Sequence, residues 1–119
     1  MAGTPSITVF KNHDVPRVQN DISASIVSGQ PVHHAEVKFN AHGGKVRSGI
    51  WESTAGEFTA RYDGIVEFCH ILEGEASITT DNGDEIVVSA GDGFVLDAGL
   101  STTWKVDKFV KKHFMICEI

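Results

Sequence analysis

Glu67-Phe68-Cys69-His70-Ile71-Leu72-Glu73-Gly74-Glu75-Ala76-Ser77-Ile78-Thr79-Thr80-Asp81-Asn82-Gly83-Asp84-Glu85-Ile86-Val87-Val88 is the stretch that decides the fold. Three short apolar-rich runs, at 66–72, 76–80 and 85–88, are separated only by turn residues. Each run is too short for a stable helix and rich enough in β-branched residues to pair as a strand. Between the second and third, Thr80 to Asp84 carries Asn82-Gly83. Asn-Gly tolerates positive φ at both central positions, which a two-residue hairpin turn demands.

The same pattern continues in both directions. Further runs lie at 46–51, 58–62, 93–96, 102–106 and 109–117, again with close turn signals. Many short strands with regular turns predict an antiparallel sandwich or barrel rather than a βαβ sheet. Helical periodicity is nearly absent; its best candidate is a turn or two at 21–27. The first 44 residues differ, holding four of the six histidines (His13, His33, His34, His42) and all three prolines. They read as an extended arm that adds a strand or two at the barrel edge or crosses to a partner subunit, because open edges invite aggregation. The expected organisation is one domain, with an arm at 1–44 and a barrel at 45–119.

Composition narrows the function classes. A chain of 119 residues, 41% apolar and 22% charged, is the size of a single folded domain. Its net charge of −6 argues against nucleic acid or an anionic membrane as partner. Lys105, Lys108, Lys111 and Lys112 form the only close basic cluster, and alternating solvent-facing strand positions account for it. Cys69 and Cys117 are far apart and match no metal or redox spacing, so free thiols are expected, with one long-range disulfide left open. Residues 1–10 contain Pro5 and no long apolar run, so they do not read as a signal peptide. The expectation is a soluble, cytoplasmic protein.

Two segments carry a resemblance. Residues 49–75 run from Gly49-Ile50-Trp51-Glu52 to Ile71-Leu72-Glu73-Gly74-Glu75, and residues 91–104 run from Gly91-Asp92 to Thr102-Thr103-Trp104. They resemble the two conserved motifs of the cupin superfamily, G-x5-HxH-x3/4-E-x6-G and G-x5-PxG-x2-H-x3-N. Glu67 and Gly74 keep the second half of the first motif, while Gly91 and Gly99 frame the second, with Asp97 where proline is usual. The finer pattern, through Trp104-Lys105-Val106 to Lys111-Lys112-His113-Phe114, is similar to the small cupins grouped with the cupin domain of (S)-ureidoglycine aminohydrolase. The resemblance implies an all-β double-stranded β-helix, or jelly-roll barrel, with an N-terminal extended arm, and a homodimer formed through sheet edges.

It also implies a metal site that the residues here do not reproduce. The first-motif histidines fall on Ala60 and Tyr62, or on Arg61 and Asp63 with the shorter spacing. The second-motif histidine and asparagine fall on Thr102 and Val106, so Glu67 alone keeps its identity. One carboxylate with neutral hydroxyls is a poor transition-metal site. Cys69 could add a thiolate from the same strand, while His70 should face the opposite way. The adjacent His33 and His34 should point oppositely and cannot easily grip one ion. No metal or other cofactor is expected, with a divalent metal at an unusual site built partly from the arm left open.

The lumen is left with Trp51, Tyr62, Glu67, Cys69, Thr102, Trp104 and Lys112 as candidate ligand-binding residues, and Glu67 as the candidate catalytic acid or base. The plainer alternative has Trp51 and Trp104 filling the core while Lys112, Arg61 or a tyrosine hydroxyl neutralises Glu67. Three functions follow. The first is a barrel binding a small polar molecule. The second, implied by the resemblance, is an aminohydrolase or amidohydrolase of ureide or nitrogen metabolism. The third is a structural or regulatory barrel with a filled lumen.

Overall fold

A computed structural model describes residues 4–119. Eight strands follow in chain order: β1 Val18–Asn20, β2 Ile26–Gly29, β3 His33–Ala41, β4 Val46–Arg61, β5 Ile65–Thr80, β6 Glu85–Ser89, β7 Gly93–Leu96 and β8 Ser101–Glu118. The described residues hold no α-helix and one 3-10 turn, Phe10–Asn12. Every strand pairing is antiparallel. The fold is the all-β jelly-roll barrel that the strand pattern predicts.

Three long strands build both walls. β8 lies between β4 and β5 along its whole length. Its C-terminal half pairs with the N-terminal halves of β4 and β5, and these are flanked by β3 and β7, with β1 outside β3. Its N-terminal half pairs with their C-terminal halves, flanked by β2 and β6. Each long strand thus passes from one wall to the other, and the bend sits at register shifts between Thr54 and Gly56, Ile71 and Glu73, and Gly74 and Ser77. An inserted residue bends a strand and resets its alternation. In β4 the lumen-facing set changes from Trp51 and Ser53 to Phe58 and Ala60 across the shift. In β5 it changes from Glu67, Cys69 and Ile71 to Ala76 and Ile78.

Gly74 marks one corner. It holds φ +79, and a Cβ there would collide with the carbonyl oxygen of Phe109. Only glycine meets both demands at no cost.

Two local expectations change. Residues 21–27 form no helix: Ser23 N–H bonds Asp21 Oδ1 at 3.0 Å, Ser25 N–H bonds the Ile22 carbonyl at 2.8 Å, and Ile26 enters β2. The aspartate side chain thus offers the backbone a turn in place of the first helical bond. At the hairpin, Gly83 takes positive φ (94°) and Asn82 does not. Gly83 N–H bonds the Thr80 carbonyl at 3.0 Å, and Thr80 N–H bonds the Asp84 carbonyl at 2.8 Å. The connection is a longer turn with one left-handed glycine, not the two-residue form. Both cysteines are free.

The core is the barrel interior. Phe58, Tyr62, Cys69, Ile71, Ala76, Ile78, Val88, Leu96, Trp104, Val106 and Val110 form one buried cluster. At ~25 cal/mol per Å² of apolar area, aromatic side chains such as these dominate its stabilisation.

Candidate functional site

Alternation along β5 and β8 brings two charges together inside the barrel. Glu67 on β5 and Lys112 on β8 both point inward, and Lys112 Nζ donates to Glu67 Oε2 at 2.7 Å. Their side chains are only 9% and 6% exposed, so the pair sits where Coulomb attraction is poorly screened. The Cys69 thiol donates to the same Oε2 at 3.3 Å, and Lys112 Nζ also donates to Cys69 Sγ at 3.3 Å. Lys112 Nζ further lies 4.7 Å from the Trp51 ring centre and 4.9 Å from that of Trp104, which gives the ammonium two aromatic faces. Burial alone would pull the lysine down, but the Glu67 carboxylate, with Cys69 and Tyr62, outweighs it and holds Lys112 above its usual range. The ammonium therefore stays charged.

Aromatic rings wall the space in front of this pair. Phe58 stacks on Trp104 with ring centres 6.1 Å apart, and Trp51 meets Trp104 edge-on at 5.7 Å. His33 on β3 stands edge-on to both Trp51 (4.9 Å) and Phe58 (4.3 Å). Burial, and then the Lys112 charge, push His33 down to about 4, so it is neutral at physiological pH. Burial pushes the Tyr62 hydroxyl up to about 12 and the Cys69 thiol up to about 12, so both remain protonated.

These groups line a partly open cavity of about 320 Å³. Trp51, Tyr62, Glu67, Trp104 and Lys112, five of the residues predicted from sequence, line it. Cys69 is fully buried beneath Glu67 and does not line it. Thr102 turns elsewhere: its hydroxyl donates to the Ala60 carbonyl at 2.9 Å. His33 and Phe58 were not legible as site residues, nor was the rim of Asn20, Ile22 and Ser25 contributed by the arm. His33 enters because β3 pairs with β4 in the register that sets Ala35 opposite Trp51, information that no local pattern carries.

The cavity wall holds unused hydrogen-bonding capacity. Among the described residues neither Trp104 Nε1 nor His33 Nε2 makes a hydrogen bond of good geometry, although both atoms are buried; the Tyr62 hydroxyl lies near the Trp104 indole without closing that bond. Buried polar atoms are almost always satisfied in folded proteins. Both alternatives for the interior find a counterpart here: Lys112 neutralises Glu67, and a cavity nevertheless opens beside them.

The residues do not fit the divalent metal that cupin motifs imply. Ala60, Tyr62 and Thr102 offer no imidazole, and Glu67 already faces an ammonium at 2.7 Å. Among the described residues no group of three or more His, Cys, Asp or Glu could hold an ion. His70 lies on the outer face, opposite His113.

Barrel topology, the surviving Glu67 and the inward-facing β5 and β8 residues together define a cupin. More narrowly, the family model of the EutQ-like cupin domain matches residues 40–114, and the chain belongs to that family. Solved structures agree. A protein of unknown function from Pseudomonas syringae pv. tomato is 25% identical over 86% of this chain, with a TM-score of 0.71. This chain spans 43% of that protein's length. A protein from Thermotoga maritima, of a family of unknown function, is 42% identical over 55% of this chain and 73% of its own, with a TM-score of 0.52. A putative ethanolamine utilization protein Q from Salmonella typhimurium shares the fold at 17% identity, covering 72% of this chain and 69% of its own, with a TM-score of 0.64. No curated protein matches the chain. The family match does not single out the ureidoglycine branch. No helix among the described residues is long and apolar enough to cross a membrane.

Proposed function

We propose that this chain binds a small polar organic molecule in the barrel lumen, against the Glu67–Lys112 pair and without a metal. One observation carries the reading: buried Trp104 Nε1 and His33 Nε2, neither with a well-formed hydrogen bond, beside a cavity of about 320 Å³ that is bordered by an ion pair. A bound molecule that supplied partners to these nitrogens would remove the cost of leaving them unpaired, about 1–3 kcal/mol each. Aromatic walls with a few convergent polar groups are the usual make-up of a ligand pocket. The lower end of the ligand-pocket size range is about 300 Å³, so the molecule is small.

A thermal-shift and tryptophan-fluorescence screen of small polar compounds tests this, run in parallel on Ala35→Phe. Ala35 lines the cavity, and a phenyl ring there would project into it and narrow the space left for a ligand. Compounds that stabilise the wild type and quench its fluorescence should lose both effects in the narrowed variant. Compounds that act equally on both proteins would place binding elsewhere and refute the reading.

A further inference from the structure

We infer that the lumen selects uncharged aromatic molecules carrying a hydrogen-bond acceptor, and rejects charged molecules of the same shape; this rests on the lumen being a binding site. Glu67 and Lys112 are the buried charged groups that line the cavity, and they compensate each other at 2.7 Å. His33 and Tyr62, the other titratable groups inside, are neutral near pH 7. Arg61, at the rim, is largely exposed and paired with Asp63 at 3.4 Å. An entering anion or cation would shed its water and find no uncompensated partner, which is the costly way to bury a charge. A neutral molecule meets no such penalty.

The walls specify the remainder. Trp51, Phe58, Trp104 and His33 present ring faces and edges in mutually stacked and edge-on arrangements. A further flat ring extends that packing, and its quadrupole suits the same offset and edge-on geometries. Trp104 Nε1 can only donate, and the nearby Tyr62 hydroxyl does not close a hydrogen bond to it, so a better-placed acceptor such as a carbonyl oxygen would satisfy it. Of the three Lys112 protons, Glu67 and Cys69 take two, which leaves one N–H for the same acceptor. Among the described residues Glu67 Oε2 takes both recorded bonds and Oε1 none, so an acceptor for a ligand N–H stands beside that donor.

Four matched probes at pH 7 separate the terms by calorimetry: benzamide (neutral, aromatic), benzoate (anion), benzamidine (cation) and cyclohexanecarboxamide (neutral, not flat). Benzamide should bind at least tenfold more tightly than each of the others and should shift the Trp104 indole N–H signal in nitrogen-15 NMR spectra. Variants then move the charge balance. Glu67→Gln leaves Lys112 uncompensated and should bring benzoate to first place; Lys112→Met should do the same for benzamidine. The double variant Glu67→Gln/Lys112→Met is neutral again and should restore benzamide, and it serves if either single variant fails to fold. Benzoate or benzamidine binding the wild-type lumen as tightly as benzamide would overturn the selectivity and leave the pocket standing. Failure of all four probes, with no lumen hit in the broader screen, would overturn both.

Discussion

Removing the lysine charge while keeping its bulk, by Lys112→Met, should strand Glu67 in the barrel. The pair is more than nine-tenths buried, so its loss belongs with buried rather than surface ion pairs. Breaking such a pair from one side costs about 3–5 kcal/mol. For a domain of this size each kcal/mol moves the melting temperature by roughly 3–6 °C, so the variant should melt about 9–30 °C lower at pH 7.5. The pH dependence sharpens the test. In Lys112→Met the stranded carboxyl has a folded-state pKa above its unfolded value of about 4.3. The folded state then binds more protons, and stability falls as pH rises from there through the folded pKa. Glu67→Gln strands an ammonium instead, whose folded pKa drops below about 10.4. Its folded state binds fewer protons, and stability rises as pH climbs through that lowered value. Urea melts of both variants between pH 5 and 9, followed by circular dichroism, should therefore slope in opposite directions. A loss under ~1 kcal/mol in Lys112→Met, with parallel slopes for the two, would show that water screens the pair as it does a surface ion pair.

Other expectations are independent of that pair. Because His33 titrates near 4 in the fold and near 6.5 unfolded, native stability should decline as pH falls through that window, and His33→Phe should flatten the decline in acid melts. With the Cys69 thiol pushed up to about 12 and fully buried, Ellman's reagent at pH 8 should leave Cys69 unmodified in the native protein, with mass spectrometry placing any native label on Cys117. Gly74→Ala adds backbone strain of about 1–2 kcal/mol and overpacking of about 1–3 kcal/mol against the Phe109 carbonyl. Gly83→Ala, with open space around it, should show only the first of these in denaturant melts.

Much of the barrel was legible because period-2 patterning is a local signal. The runs at 66–72 and 76–80 are the two halves of one strand, β5, rather than two strands parted by a turn, and those at 85–88 and 93–96 are β6 and β7, because apolar side chains recur at the spacing a pleated sheet requires. Alternation within one run also placed Cys69 and Ile71 with Glu67, and Trp104 and Val106 with Thr102, all of them buried. It could not be carried across the corners, where inserted residues reset the phase of β4 and β5. The motif frame isolated Glu67, and Lys112 was readable as its partner only as one of several neighbours. His33 was not readable at all: an adjacent histidine pair in an arm is ambiguous until β3 is registered against β4. Thr102 shows the converse, since an inward position does not guarantee a place on the cavity wall. The turn at 21–27 escaped a purely periodic reading because an aspartate side chain, rather than an apolar stripe, organises it.

The most direct test of a ligand-binding lumen is the indole N–H signal of Trp104, observed while benzamide and the hits from the screen are titrated into uniformly nitrogen-15-labelled protein. The account predicts a saturable downfield shift as the orphan donor gains an acceptor, absent in Ala35→Phe. An indole signal unmoved at millimolar concentrations, ~5 mM, of every compound would contradict it, and would favour a structural role for the barrel.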